Sequence, residues 1–186
     1  MIFQTSDESR QPALQPAFST SDNLADPQSW TKPALLFTEA PTIKAWIDFW
    51  VICDAEQAHL FFTSLDGRMW RSATPLGKFP HGWSTPEVTL EADIFEASHT
   101  YRLTGVDRFL TVVEAQAEGR RYYKAYLADR LAGPWRPLAD SVERPFAGRA
   151  NVGFAGPAWT DSLSHGELLR AANDETNTCS FSPGAV

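Results

Sequence analysis

Two carboxylates stand inside apolar runs: Asp48 in Trp46-Ile47-Asp48-Phe49-Trp50 and Glu96 in Ile94-Phe95-Glu96-Ala97-Ser98. An acid in such a run is costly to bury unless it is hydrogen-bonded or put to use. Their separation is close to one structural repeat of about 50 residues, so equivalent strands of neighbouring units would carry them at similar heights. Paired carboxylates beside an aromatic-lined pocket are the equipment for hydrolysing a glycosidic bond. The alternative is that each acid satisfies backbone groups at an interface between sheets. No glycine-rich phosphate loop, zinc-type Cys/His cluster or nucleophile elbow offers a rival chemistry.

The repeat that would position these acids is marked by tryptophan. Residues 17–24 lead on to Trp30, 69–76 to Trp83, and 123–131 to Trp135. Each stretch reads as a strand, a turn holding Leu, and a Pro- or Gly-containing approach to Trp. A period of about 50 residues with several strands per unit is the signature of a β-propeller blade. A β-sandwich with coincidental spacing is the alternative. In a propeller the first strand of each blade lies innermost, beside the central channel. The second unit predicts strands over 46–53, 59–64, 68–73 and 87–90. The third predicts them over 94–103, 109–115, 121–129 and near Leu138. The first unit offers 2–4, 17–21 and 35–37, without an innermost strand. A fourth opens over 151–159, continues through 167–170 and stops. The expected fold is all-β: a partial propeller with incomplete blades at 1–44 and 144–186 and complete blades at 45–92 and 93–143.

Composition agrees with that class. The chain has 186 residues, 43% hydrophobic and 12% aromatic, with thirteen Pro and eleven Gly. Many aromatics with frequent breakers suit short strands joined by turns. A net charge of −7 argues against nucleic acid as the partner, because phosphate binding needs a basic face. No run approaches the ~18 apolar residues of a spanning helix, so no membrane partner is expected. Cys53 and Cys179 do not make a disulfide framework. Met1-Ile2-Phe3 runs directly into polar Gln4-Thr5-Ser6-Asp7-Glu8, which is not the pattern of a secretory leader. Asp66-Gly67 and Asp107-Arg108 read as hairpin turns.

Several segments, taken in order along nearly the whole chain, carry a resemblance to a known family. They include Trp46-Ile47-Asp48-Phe49-Trp50-Val51-Ile52-Cys53-Asp54, Arg71-Ser72, Phe95-Glu96-Ala97-Ser98 and Val113-Glu114-Ala115. Arg121-Tyr122-Tyr123, Pro145-Phe146-Ala147-Gly148 and Ser164-His165-Gly166-Glu167-Leu168 follow. In these segments the chain resembles glycoside hydrolase family 62, the α-L-arabinofuranosidases that trim arabinose from arabinoxylan. The related five-bladed family 43 is the alternative.

The resemblance implies a five-bladed propeller acting with inversion, in which one group protonates the leaving oxygen and another activates water on the opposite face. Glu96 matches the general acid. Asp48 matches the aspartate that orients that acid and modulates its pKa. The base belongs to a blade with no counterpart here, since Asp7 and Glu8 are expected on a turn, so it is expected to be absent. The resemblance thus reads as a family member truncated at both ends and impaired, hydrolysing slowly or binding arabinoxylan weakly without cleaving it. Gln4 matches a glutamine of the arabinose pocket, with an ordinary polar residue at a strand end as the alternative. Arg121 is a candidate sugar contact, with a surface arginine as the alternative. His165 matches a channel histidine associated with a central ion, usually calcium, or its water; a hydrogen-bonded core histidine is the alternative. No cofactor is required, and with no acidic cluster to build a site any structural calcium would be largely water-bound. Glu114 reads as structural, and Trp46, Trp50 and Trp70 as packing residues of the blades, with stacking on sugar rings as the alternative. The family implies an extracellular setting.

Overall fold

The computed structural model describes residues 1–37, 43, 45–172 and 174–179. Lys44, at which the first unit is expected to end, and residues 180–186 lie outside them. Among the described residues twelve strands form three successive sheets, and none of these sheets closes on itself. The first is antiparallel: β1 (Ile2–Ser6), β2 (Leu14–Phe18) and β3 (Ala34–Leu35). The second is a four-stranded meander of β4 (Ile47–Cys53), β5 (Gln57–Thr63), β6 (Arg68–Pro75) and β7 (Glu87–Glu91). The third contains β8 (Glu96–Leu103), β9 (Phe109–Ala117), β10 (Arg120–Ala128) and β11 (Arg136–Ala139). Its fifth strand is β12 (Thr178–Cys179), which pairs in parallel with the outer side of β8.

Local chemistry fixes the hairpins. Glu118 and Gly119 both have φ in the left-handed region, at 50° and 77°, and join β9 to β10 with Ala117 facing Arg120. That is the conformation whose twist matches the flanking strands. At Gly67 φ is +84°, and a Cβ would lie 2.7 Å from the Ala92 carbonyl oxygen, so glycine is required there.

Residues 151–159 differ from the expected strand. Val152, Phe154 and Trp159 suit a strand by type, but Gly153, Gly156 and Pro157 interrupt them and Trp159 is 84% exposed. With no sheet face to cover, the segment stays irregular. The strand expected over 167–170 reduces to a single bridge between Arg170 and Cys179.

The core is laid down by alternation. Phe61 of β5 faces a cluster with Ile52, Met69, Ile94, Val113 and Trp135, which joins the second sheet to the third. Its neighbours Leu60 and Phe62 face the other way, onto Phe18, Leu36, Phe37 and Trp46, which joins the second sheet to the first. Successive side chains of a strand point to opposite faces, so β5 is covered on both. A third cluster of Tyr101, Leu110, Val112 and Tyr123 lies on the far face of the third sheet and includes Cys179. Cys53 and Cys179 are free, buried thiols whose pKa values burial pushes up, which keeps both unreactive.

His59 is buried with both ring nitrogens engaged. Its Nδ1 accepts from Arg71 Nε–H at 3.0 Å, which places the proton on Nε2, 2.9 Å from Asp54 Oδ2. Desolvation holds its pKa below the usual histidine value; the Asp54 hydrogen bond opposes that shift and the Arg71 charge adds to it. Above about pH 6.5 the ring is neutral in the folded and unfolded chains, and its contribution to stability is fully present. As pH falls below that value the unfolded chain takes up a proton that the folded chain resists, so stability declines. Urea midpoints measured between about pH 7.5 and 5.5 should therefore fall on acidification, and fall less in His59→Gln. Equal slopes in the two proteins would contradict this assignment.

Candidate active site

Both acids singled out in the sequence sit at bulges. In β4 the register with β5 slips between Ile47 and Trp50, and Asp48 adopts φ 56°. In β8 the register with β9 slips between Glu96 and Ser98, and Ala97 adopts φ 52°. A non-glycine residue in that region costs on the order of 1–3 kcal/mol and persists only where the surroundings hold it. What holds it is visible: Asp48 Oδ2 accepts the Ala97 N–H at 2.8 Å, across the boundary between two sheets. A bulge kinks its strand and re-aims the side chains beside it, and Glu96 stands at the edge of this one, opposite Glu114 of β9. Trp50 reinforces the same boundary, its indole N–H donating to Thr100 O at 2.6 Å while its ring stacks on His99 at 4.6 Å.

Glu96 is partly buried, its side chain 18% exposed, and Arg121 Nη1 donates to its Oε1. The same Nη1 donates to Glu114 Oε1, and Phe95 lies under the guanidinium at 3.8 Å from its ring centroid. Glu114 is fully buried. Ser164 Oγ lies 3.0 Å from both of its oxygens, and the His165 backbone N–H donates to Oε2 at 3.1 Å. Burial pulls the Arg121 pKa down, and the two carboxylates more than offset it, so the net shift is upward. Arg121 is therefore a cation held by two acids rather than a free surface arginine.

The segment carrying Ser164 and His165 is laced to β10. Arg121 N–H donates to Ser162 Oγ at 3.3 Å, Leu163 N–H to Arg121 O at 3.1 Å, and Gly166 N–H to the Tyr123 hydroxyl. The His165 side chain is 78% exposed; its Nδ1 lies 2.7 Å from Ser164 Oγ and its Nε2 3.8 Å from Glu96 Oε1. A hollow of about 210 Å³ opens on the far side of Arg121, lined by Tyr122, Gly148, Arg149 and Asp161. Gln4 stands apart from this cluster, its amide donating to the carbonyl of Trp46, two residues before Asp48. Trp46 is 1% exposed, and Trp70 stacks on Phe62 while donating to Ser64 Oγ at 2.7 Å, so these two rings pack rather than face solvent.

Glu114 is the residue whose part here a strand-by-strand reading understates. Glu114 faces Glu96 across the β8–β9 ladder and Tyr123 across β9–β10. Its signal in the sequence was an acid amid Val112, Val113 and Ala115, the same pattern that singled out Asp48 and Glu96.

Glu96, Glu114 and His165 present ligand atoms within 4.8 Å of one another. They fit calcium poorly. Calcium wants six to eight oxygens, whereas both Glu114 oxygens are already engaged and the third donor is an imidazole. The Arg121 guanidinium, with its own positive charge, lies between the two carboxylates.

The chain is similar over most of its length to known proteins. α-L-Arabinofuranosidase C of Cellvibrio japonicus is 37% identical over 169 residues, which are 87% of this chain and 27% of that protein. The catalytic domain of the Coprinopsis cinerea family 62 α-L-arabinofuranosidase superposes with a TM-score of 0.83 at 38% identity, covering 89% of this chain and 56% of that one. A family 62 hydrolase solved in complex with xylotriose gives a TM-score of 0.82 at 38% identity, covering 89% and 58%. The chain thus spans about a quarter of the curated relative and rather more than half of the solved domains. The model of glycosyl hydrolase family 62 matches residues 12–183, which contain Asp48, Glu96, Glu114, Arg121 and His165, and with that match and these identities the chain belongs to glycosyl hydrolase family 62.

Proposed function

We propose that this chain carries the acid half of an inverting α-L-arabinofuranosidase site for arabinoxylan, acting outside the cell. The observation that supports this most is the 2.8 Å bond from Ala97 N–H to Asp48 Oδ2, which fixes the bulge that aims Glu96. In this reading Glu96 protonates the glycosidic oxygen as arabinose leaves, and Asp48 holds it in place. Arg121 and His165 stand beside Glu96 as sugar contacts, and Gln4 lines the approach from β1. The three sheets and the 151–170 segment read as two whole and two part blades of a five-bladed propeller. The activity of the named relatives and the xylotriose held by one solved member support an arabinose-substituted xylan as substrate.

The base is the weak half. β1, β2 and β3 carry no Asp or Glu. Asp7 and Glu8 lie just past β1, bonded locally to Ser9 and Ser6, with Asp7 also paired to Arg10. Loss of a positioned base costs about 10²–10⁴ in rate. Arabinose release from wheat arabinoxylan is expected to be slow or undetectable, while arabinoxylan retards the protein in affinity electrophoresis. Any release should disappear in Glu96→Gln, and the first-formed sugar should have inverted configuration by NMR. Release undiminished in Glu96→Gln, or neither release nor retardation, would overturn the reading.

A further inference from the structure

We propose that the Arg121 guanidinium is the resident cation of the Glu96–Glu114–His165 cluster, occupying the place in which a divalent ion would otherwise bridge the two carboxylates. The inference does not depend on the chain's being active, so it can fail or hold independently of the arabinofuranosidase reading.

The geometry points this way from three sides. One nitrogen, Nη1, donates to Glu96 Oε1 and Glu114 Oε1, which belong to two of the three residues whose ligand atoms lie within 4.8 Å of one another. The guanidinium face rests on the Phe95 ring at 3.8 Å, a cation–π contact that favours a positive charge at this place. Glu114, fully buried, spends its remaining acceptor capacity on Ser164 Oγ and the His165 N–H. A divalent ion entering this space would have to displace those donors and sit against an arginine that cannot lose its charge. Two carboxylates facing one another need a counter-charge, and here the chain supplies it from β10.

The substitution that frees the place is Arg121→Met, which keeps an unbranched stem about as long as the arginine's aliphatic part and removes the guanidinium with its charge. The full chain, stripped with EDTA, is titrated with calcium, zinc and terbium, reading calorimetric heat and terbium emission excited through the aromatic residues. The wild-type chain should show no binding that depends on Glu114, and EDTA should not move its thermal midpoint. Arg121→Met should bind terbium or calcium at least about tenfold more tightly than wild type, gain thermal stability from calcium, and lose both effects when Glu114→Gln is added. Arg121→Lys keeps the charge and should remain insensitive to calcium. Wild-type binding of any of the three ions that is abolished by Glu114→Gln would overturn the proposal. So would a folded Arg121→Met protein that binds none of them. If Arg121→Met does not fold, the wild-type titration and Arg121→Lys decide: ion binding by either that disappears with Glu114→Gln overturns it, and its absence in both upholds it.

Discussion

Glu114→Ala is expected to destabilise the chain by about 1–3 kcal/mol, the usual cost of leaving the partners of a buried acceptor unsatisfied. The size follows from what is left behind. Arg121 keeps Glu96, but Ser164 Oγ and the His165 N–H lose the acceptor that ties them to the buried carboxylate. The segment around residues 162–166 then hangs on its bonds to Arg121, Tyr123, His99 and one another. Urea denaturation measures the loss directly. Glu114→Gln keeps the shape and one acceptor and should cost less than Glu114→Ala. A loss in Glu114→Ala below about 1 kcal/mol would be the behaviour of a surface ion pair. It would mean that the carboxylate is not buried in solution.

The same residue marks the limit of what the sequence makes legible. The strands of the second and third sheets are readable because alternation, aromatic runs and turn pairs such as Asp66-Gly67 are local signals. β4 to β7 begin and end within two residues of the spans that the repeat suggests. The two acids in apolar runs are readable for the same reason. The bulges beneath them are not, since neither Asp48 nor Ala97 is a residue whose type advertises a left-handed φ. That conformation comes from a contact between sheets, the Ala97 N–H on Asp48. Arg121 likewise shows in the sequence as one of two arginines opening a strand. Its bonds to Glu96 and Glu114 depend on which residues of β8, β9 and β10 stand opposite, and on the 162–166 segment closing over them. Residues 151–159 show the converse. Local β-propensity suggested a strand, and the absence of a partner ladder overrode it.

The joint between the second and third sheets makes the strongest packing prediction. Phe61→Ala should cost about 3–5 kcal/mol. Phe61 is fully buried at the centre of β5, and its ring meets Trp135 edge-on with centroids 6.1 Å apart. Ile52, Met69 and Ile94 share the same cluster, so the space is lined by side chains from both sheets and has little freedom to collapse. Against a typical total stability of about 5–15 kcal/mol, such a loss would leave a marginal protein. Val88→Ala, at a position 40% exposed on β7, should stay within about 0.5 kcal/mol and serves as the control. The comparison bears on the site as well as the core. Asp48 belongs to the second sheet and Ala97 to the third, so their hydrogen bond survives only while the two sheets stay packed. Urea midpoints for the two variants separate the cases: a small loss for Phe61→Ala would mean that the sheets do not pack face to face in solution. The bulge that aims Glu96 would then have nothing to hold it.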